Sequence, residues 1–203
     1  MKTGLGLILA CGVWLCSPVH AQAPQSTLEH HGFSIDTSQI AGTENLDTVM
    51  AALKRQIEIV ETVGLTDEVL KFFRSVPIVM LANSPGTPGL YSRKNKRVSL
   101  KSRDLAPNKP ILLHEMLHAY HDQMLPDGGK NAEVLHFYEM ALERYRMNKS
   151  EYFLSNEKEF FAVTASIYLY GSIKRPPFDR KTIQSTQPLY WKFLEGLFGK
   201  REP

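Results

Sequence analysis

Apolar residues recur at three- and four-residue steps between Leu46 and Val63: Val49, Met50, Leu53, Ile57, Val60 and Val63 predict an amphipathic helix. Gly64 closes it, and Thr66-Asp67-Glu68 opens a shorter helix carrying Val69, Leu70, Phe72 and Phe73. The rhythm then shortens. Pro77–Ala82 is a compact apolar run ended by Asn83-Ser84-Pro85-Gly86, which predicts a buried strand. Gly89–Ser92 and Lys96–Leu100 flank Lys94-Asn95 and predict a hairpin. Phe33–Asp36 alternates and predicts a short first strand, after a loose polar lead over residues 22–31.

Longer periods return after Pro107-Asn108-Lys109-Pro110. No Gly or Pro interrupts Ile111 to Leu125, and Ile111, Leu112, Leu113, Met116, Leu117 and Ala119 give that helix a buried side. Pro126-Asp127-Gly128-Gly129 is a turn. A helix over Asn131–Met147 then has Val134, Phe137, Tyr138, Ala141, Leu142 and Tyr145 as its inner face. Ser155 or Asn156 can cap a further helix that runs to about Tyr170, with Gly171 beyond it. Lys174-Arg175-Pro176-Pro177 is a basic turn. In Leu189–Phe198, Trp191, Leu194 and Phe198 form one stripe, as in a helix that docks on a core. Strands early and helices late predict an α+β fold: a small twisted sheet packed against helices.

Composition narrows the class. A chain of 203 residues with 43% hydrophobic and 22% charged residues suits one soluble domain. A net charge of +3 is too small to imply a nucleic-acid partner. Lys2, the apolar run Leu5–Leu15 and Ser17-Pro18-Val19-His20-Ala21 have the form of a signal peptide cut after Ala21. The expectation is a single domain over residues 22–203 in the periplasm or outside the cell, with no stable membrane insertion after cleavage. The apolar run is too short to span a bilayer easily. Ile8-Leu9-Ala10-Cys11 loosely resembles a lipobox, but the apolar stretch before Cys11 is very short and continues past it. Cys11 and Cys16, the only cysteines, lie in the removed segment, so the mature domain has no disulfide to rely on.

The chemistry concentrates in His114-Glu115-Met116-Leu117-His118. Four residues advance a helix by roughly 400°, so both imidazoles sit about 40° apart on one face and can share a zinc ion. Glu115 can reach a water beside that metal, which suits a general base. Zinc catalysis needs a third protein ligand and an open position. Glu157 and Glu159 compete for that part, and being two residues apart they point to different faces. Glu159 shares a face with Ala162 and Val163, a small apolar stripe that can lie against the first helix, so Glu159 is the expected ligand. Glu157 reads as a solvated first-turn residue where negative charge suits the helix dipole. His121 lies near the face of His118, where it either contacts substrate or sits at the margin of the site. His30, His31, His136, Glu139 and Glu143 read as surface or core-edge residues. Arg93, Lys94, Lys96, Arg97, Lys101 and Arg103 make the hairpin basic; they can select an acidic substrate, or simply be a solvated tip.

An H-E-x-x-H helix followed by Glu159-Phe160-Phe161-Ala162 resembles the gluzincin metallopeptidases. The resemblance is nearest to the anthrax lethal factor-like branch, which includes the Pro-Pro endopeptidases. It implies a zincin-like fold, one zinc ion held by His114, His118 and Glu159, Glu115 as base, and a peptide or protein substrate. That branch places an oxyanion-stabilising tyrosine seven residues before the ligand glutamate, and Tyr152 stands there. A metzincin would have Gly at 121 and His at 124; His121 and Met124 exclude that class. Thermolysin-like gluzincins carry an Asp four residues after the ligand Glu, where this chain has Val163. The rival readings are a non-catalytic zinc-containing binding module of the cell envelope, and a cell-wall amidase using the same site.

Overall fold

The computed structural model describes residues 26–82, 86–103, 105–145, 154–171 and 179–203. Strands β1 (Thr27–His30) and β2 (Phe33–Asp36) form an antiparallel hairpin. His31 and Gly32 turn it with φ of 48° and 78°, the paired positive values that tight hairpin turns need. The polar lead expected to be loose therefore supplies a strand. Leu28 is its single aliphatic residue and its burial is only partial, so Thr27–His30 has no hydrophobic alternation to signal it.

Helices α1 (Leu46–Thr62) and α2 (Asp67–Ser75) fill the crossover from β2 to its parallel neighbour β3 (Ile78–Leu81). Thr66 caps α2, its hydroxyl accepting from the Val69 N–H at 3.4 Å. Strands β4 (Gly89–Ser92) and β5 (Arg97–Lys101) complete a five-stranded sheet of order β1-β2-β3-β5-β4. The pairs β2–β3 and β3–β5 are parallel; both outer pairs are antiparallel, and β4 is an edge.

Register sets which residues share a face. Ile35, Ile78, Val98 and Tyr91 form one row across the sheet, and Met80, Leu100 and Gly89 the next. The aliphatic members of both rows are buried. Leu90, between Gly89 and Tyr91, points the other way and is 61% exposed. Gly89 and Tyr91 thus occupy core-side positions at the rim, where helix α3 (Ile111–Gln123) packs on β4 and β5.

Helix α3 begins at Pro110, which offers no side-chain cap. The fully buried Gln56 of α1 replaces the cap. Its Oε1 accepts the Leu112 N–H at 3.1 Å, and its Nε2 donates to the carbonyls of Ala106 at 3.0 Å and Lys109 at 2.8 Å. One satisfied amide therefore meets an orphan donor of the helix start and fixes the approach loop.

Helix α4 (Ala132–Tyr145) is capped by Asn131, whose Oδ1 accepts from Val134 N–H at 3.0 Å. Val134, Tyr138 and Ala141 are buried on its inner face. Helix α5 (Glu157–Tyr170) is capped by Asn156, whose Oδ1 accepts the N–H groups of Lys158 and Glu159, both at 3.0 Å. From Phe160 to Leu169 every α5 residue is buried, and α3 is its most extensive neighbour. Helices α6 (Arg180–Thr186) and α7 (Pro188–Phe198) follow. The pattern did not announce α6, which buries only Ile183; its Arg180 closes α5 by donating to the Tyr168 and Leu169 carbonyls, each at 2.9 Å. Helix α7 docks through Tyr190, Trp191, Leu194 and Phe198, all buried. The α+β fold is the one expected. Among the described residues no helix is long and apolar enough to cross a membrane. The proposed signal segment and the basic turn at 174–177 lie outside the described residues.

Candidate metal centre and groove

Helix α3 is apolar along most of its length, so its few polar side chains stand out against buried neighbours. His114 and His118, one turn apart, bring their Nε2 atoms to 3.1 Å. Glu159, in the first turn of α5, places Oε2 3.4 Å from His114 Nε2 and Oε1 3.4 Å from His118 Nε2. The packing of α5 along α3 and the cap at Asn156 fix where that first turn begins. One donor atom from each residue lies within 4.8 Å of the others, and this is the one such cluster among the described residues. Two imidazole nitrogens and a carboxylate converging this closely fit a divalent transition metal. All three side chains keep 14–20% of their exposure, so the cluster faces a groove instead of closing on itself.

Glu115 lies beside the cluster and is 7% exposed. Its Oε2 accepts the backbone N–H of Tyr91 at 2.7 Å. Tyr91 pairs with Val98 at a position where the N–H points off the sheet edge, so the carboxylate is held by the rim of the sheet. Gly89 makes room for it: a Cβ there would sit 2.8 Å from both Glu115 Cγ and Oε1. Burial pushes the Glu115 carboxyl above its usual range and Glu159 adds to that, while His114, His118 and the Tyr91 N–H oppose it. The carboxyl therefore binds its proton more readily than a free carboxylate does.

The hairpin is tied to the same helix two turns beyond Glu115. Asp122 accepts from the Tyr91 hydroxyl at 2.8 Å, pairs with Arg93 Nε at 2.7 Å and pairs with Lys96. Gln123 donates to the Tyr91 hydroxyl at 3.0 Å. Burial alone would raise the Asp122 carboxyl; the bonds from Lys96 and Tyr91 and the charges of Lys96 and Arg93 outweigh it and hold the group below its ordinary range. The basic hairpin is therefore more than a solvated tip, because two of its cations staple β4 and β5 onto α3. Sequence reading did not find this staple. Asp122 carried a findable signal, an acid four residues after His118 on a helix whose other acid is Glu115.

His121 is 1% exposed, and neither ring nitrogen has a hydrogen-bond partner among the described residues. Its ring lies 5.0 Å from that of Phe161, and burial, with His118 adding, pushes its pKa down to about 4. It is neutral at pH 7. Glu157, half-buried, pairs with Lys158 at 2.8 Å and is not part of the cluster. Val163, where an Asp would brace His114, is buried. His136, Glu139 and Glu143 are exposed on α4, and His30 and His31 sit at the β1–β2 turn; none joins the cluster. Tyr152 lies outside the described residues.

A groove of about 430 Å³ runs along β4, from Thr87 past Glu115, His118 and Glu159 to Arg93. Its walls are the edge strand on one side and the first turn of α5 on the other.

No family model and no curated protein sequence matches the chain. Among solved structures, a Pro-Pro endopeptidase from Paenibacillus alvei is similar to it. The two align with a TM-score of 0.51 and 22% identity over 75% of this chain and 90% of that one. At that identity the likeness concerns the fold alone.

Proposed function

We propose that this chain is a zinc metallopeptidase of the gluzincin type, with His114, His118 and Glu159 as the metal ligands. The observation that carries the reading is the meeting of those three donors, within 4.8 Å of one another, beside a buried Glu115 held by the sheet rim. The fold shared with a Pro-Pro endopeptidase supports it. Zinc, when bound, supplies Lewis-acid polarisation of a water and of the scissile carbonyl. Glu115 takes the water's proton and delivers it to the leaving amine. Tyr152 donates a hydrogen bond to the oxyanion that develops on the carbonyl. Strand β4 is an edge of the sheet, and an extended peptide pairs there only with the outward groups other than the Tyr91 N–H, which Glu115 holds, and the Gly89 carbonyl, which Thr87 holds. Glu115 also speaks against a purely structural zinc site, which needs no buried base in the groove.

Cleavage profiling of a peptide library by the mature protein tests the reading. Chelator-sensitive cleavage supports it. Glu115→Gln is expected to lower kcat by roughly 10²- to 10⁴-fold with the metal retained; full activity in that variant contradicts the assignment. From the pattern of residues 1–21 we further propose that the working protein is periplasmic or lies outside the cell. A mature N-terminus at Gln22, read by mass spectrometry, is the expected result, and an uncut chain contradicts it.

A further inference from the structure

The end of the groove away from Thr87 carries chemistry that hydrolysis does not use. Arg93 reaches in from the hairpin and Lys158 from the first turn of α5, and both line the groove. They converge over Gly129: a Cβ at that position would lie 3.0 Å from Lys158 Cε and 3.7 Å from Arg93 Nη1. Their side chains keep 56% and 45% exposure, so both heads are open to solvent. Arg93 binds Asp122 through Nε, which leaves its two Nη groups unspent among the described residues. Lys158 pairs with Glu157 through a single bond at 2.8 Å. Lys96 shares Asp122 with Arg93, so cations exceed carboxylates at this end. Beneath them His121, buried in the groove lining, has no partner for either ring nitrogen among the described residues. An imidazole of that kind is costly unless a ligand supplies the missing bond.

We infer that this end of the groove is a subsite for an acidic side chain of the bound peptide, with Arg93 and Lys158 as its cations and His121 at its floor. The absence of a side chain at Gly129 keeps the space between the two cations open. The inference rests on the peptidase reading for the orientation of the groove, but binding can test it without turnover.

The probes are fluorescein-labelled hexapeptide pools in which Glu, Gln or Lys is fixed at one position at a time. They are titrated against the zinc-loaded Glu115→Gln protein and followed by anisotropy. At one position the Glu pool is expected to bind roughly tenfold tighter than the Gln pool, as a charge-assisted bond implies. The preference should shrink between 0.05 and 0.5 M salt. Lys158→Gln should remove most of it, leaving the hairpin staple untouched, and Arg93→Glu with Lys158→Glu should turn it toward Lys. Equal binding of Glu and Gln pools at every position overturns the subsite, as does a preference that survives Lys158→Gln. If wild-type protein cleaves no peptide while Glu pools still bind selectively, the peptidase reading fails and the subsite stands.

Discussion

Gly89 illustrates how much a single missing side chain controls. It sits on the core side of the rim strand, where register would call for an apolar residue, and the volume it leaves is filled by the Glu115 side chain. A methyl group there would meet two atoms of a buried carboxylate whose other oxygen is already bound to Tyr91. Gly89→Ala is expected to displace the base and lower kcat by about 10- to 100-fold, since misplacement on the ångström scale has that effect. The metal content should be unchanged, because no proposed ligand is touched. Normal kcat in a correctly folded Gly89→Ala protein would contradict this role. His114 and His118 were legible because helical spacing puts them on one face, and Glu159 because it shares a face with Ala162 and Val163 and matches the family pattern; that it meets the histidines depends on α5 packing along α3. The roles of Gly89, Gln56 and Asp122 were not, because each depends on contacts between elements far apart in sequence.

Among the elements, α3 and the β4–β5 hairpin behave as one unit, joined by Asp122. The carboxyl is depressed in the folded protein, so it contributes stability above its unfolded value near 3.8, and that contribution is lost as pH falls through the folded value. Arg93 and Lys96 are about half exposed, which weakens the pairs through solvent screening. Asp122→Asn is therefore expected to destabilise by only about 1–2 kcal/mol at pH 7. The difference from wild type should narrow below pH 4 in denaturant titrations. A difference that stays constant down to pH 2 would show that charge has no part in it. Most elements were readable from periodicity: α1, α2, α3, α5, α7 and the strands β2 to β5 fall close to the expected ranges. Strand β1 and helix α6 were not, because each buries too few apolar side chains to leave a period.

For the whole molecule, a domain whose two cysteines both precede Ala21 must draw its cohesion from packing. The buried set extends without a break from Phe33 through the sheet, α3 and α5 to Phe198, so the core does not depend on the metal. Chelation is expected to abolish cleavage while shifting the thermal midpoint by only a few degrees, the scale of a ligand lost from one site. Global unfolding on chelation would instead assign the metal a structural part. The fold class followed from the order of strands and helices. The groove did not, since it exists only once β4 is seated at the sheet edge opposite α5.

The central claim is that one metal ion is gripped between α3 and α5. Anomalous diffraction at the zinc edge from crystals of the zinc-loaded protein tests it most directly. The account predicts one strong peak within bonding distance of His114 Nε2, His118 Nε2 and the Glu159 carboxylate, and its loss in Glu159→Ala. A peak elsewhere, or one that excludes Glu159, would contradict it.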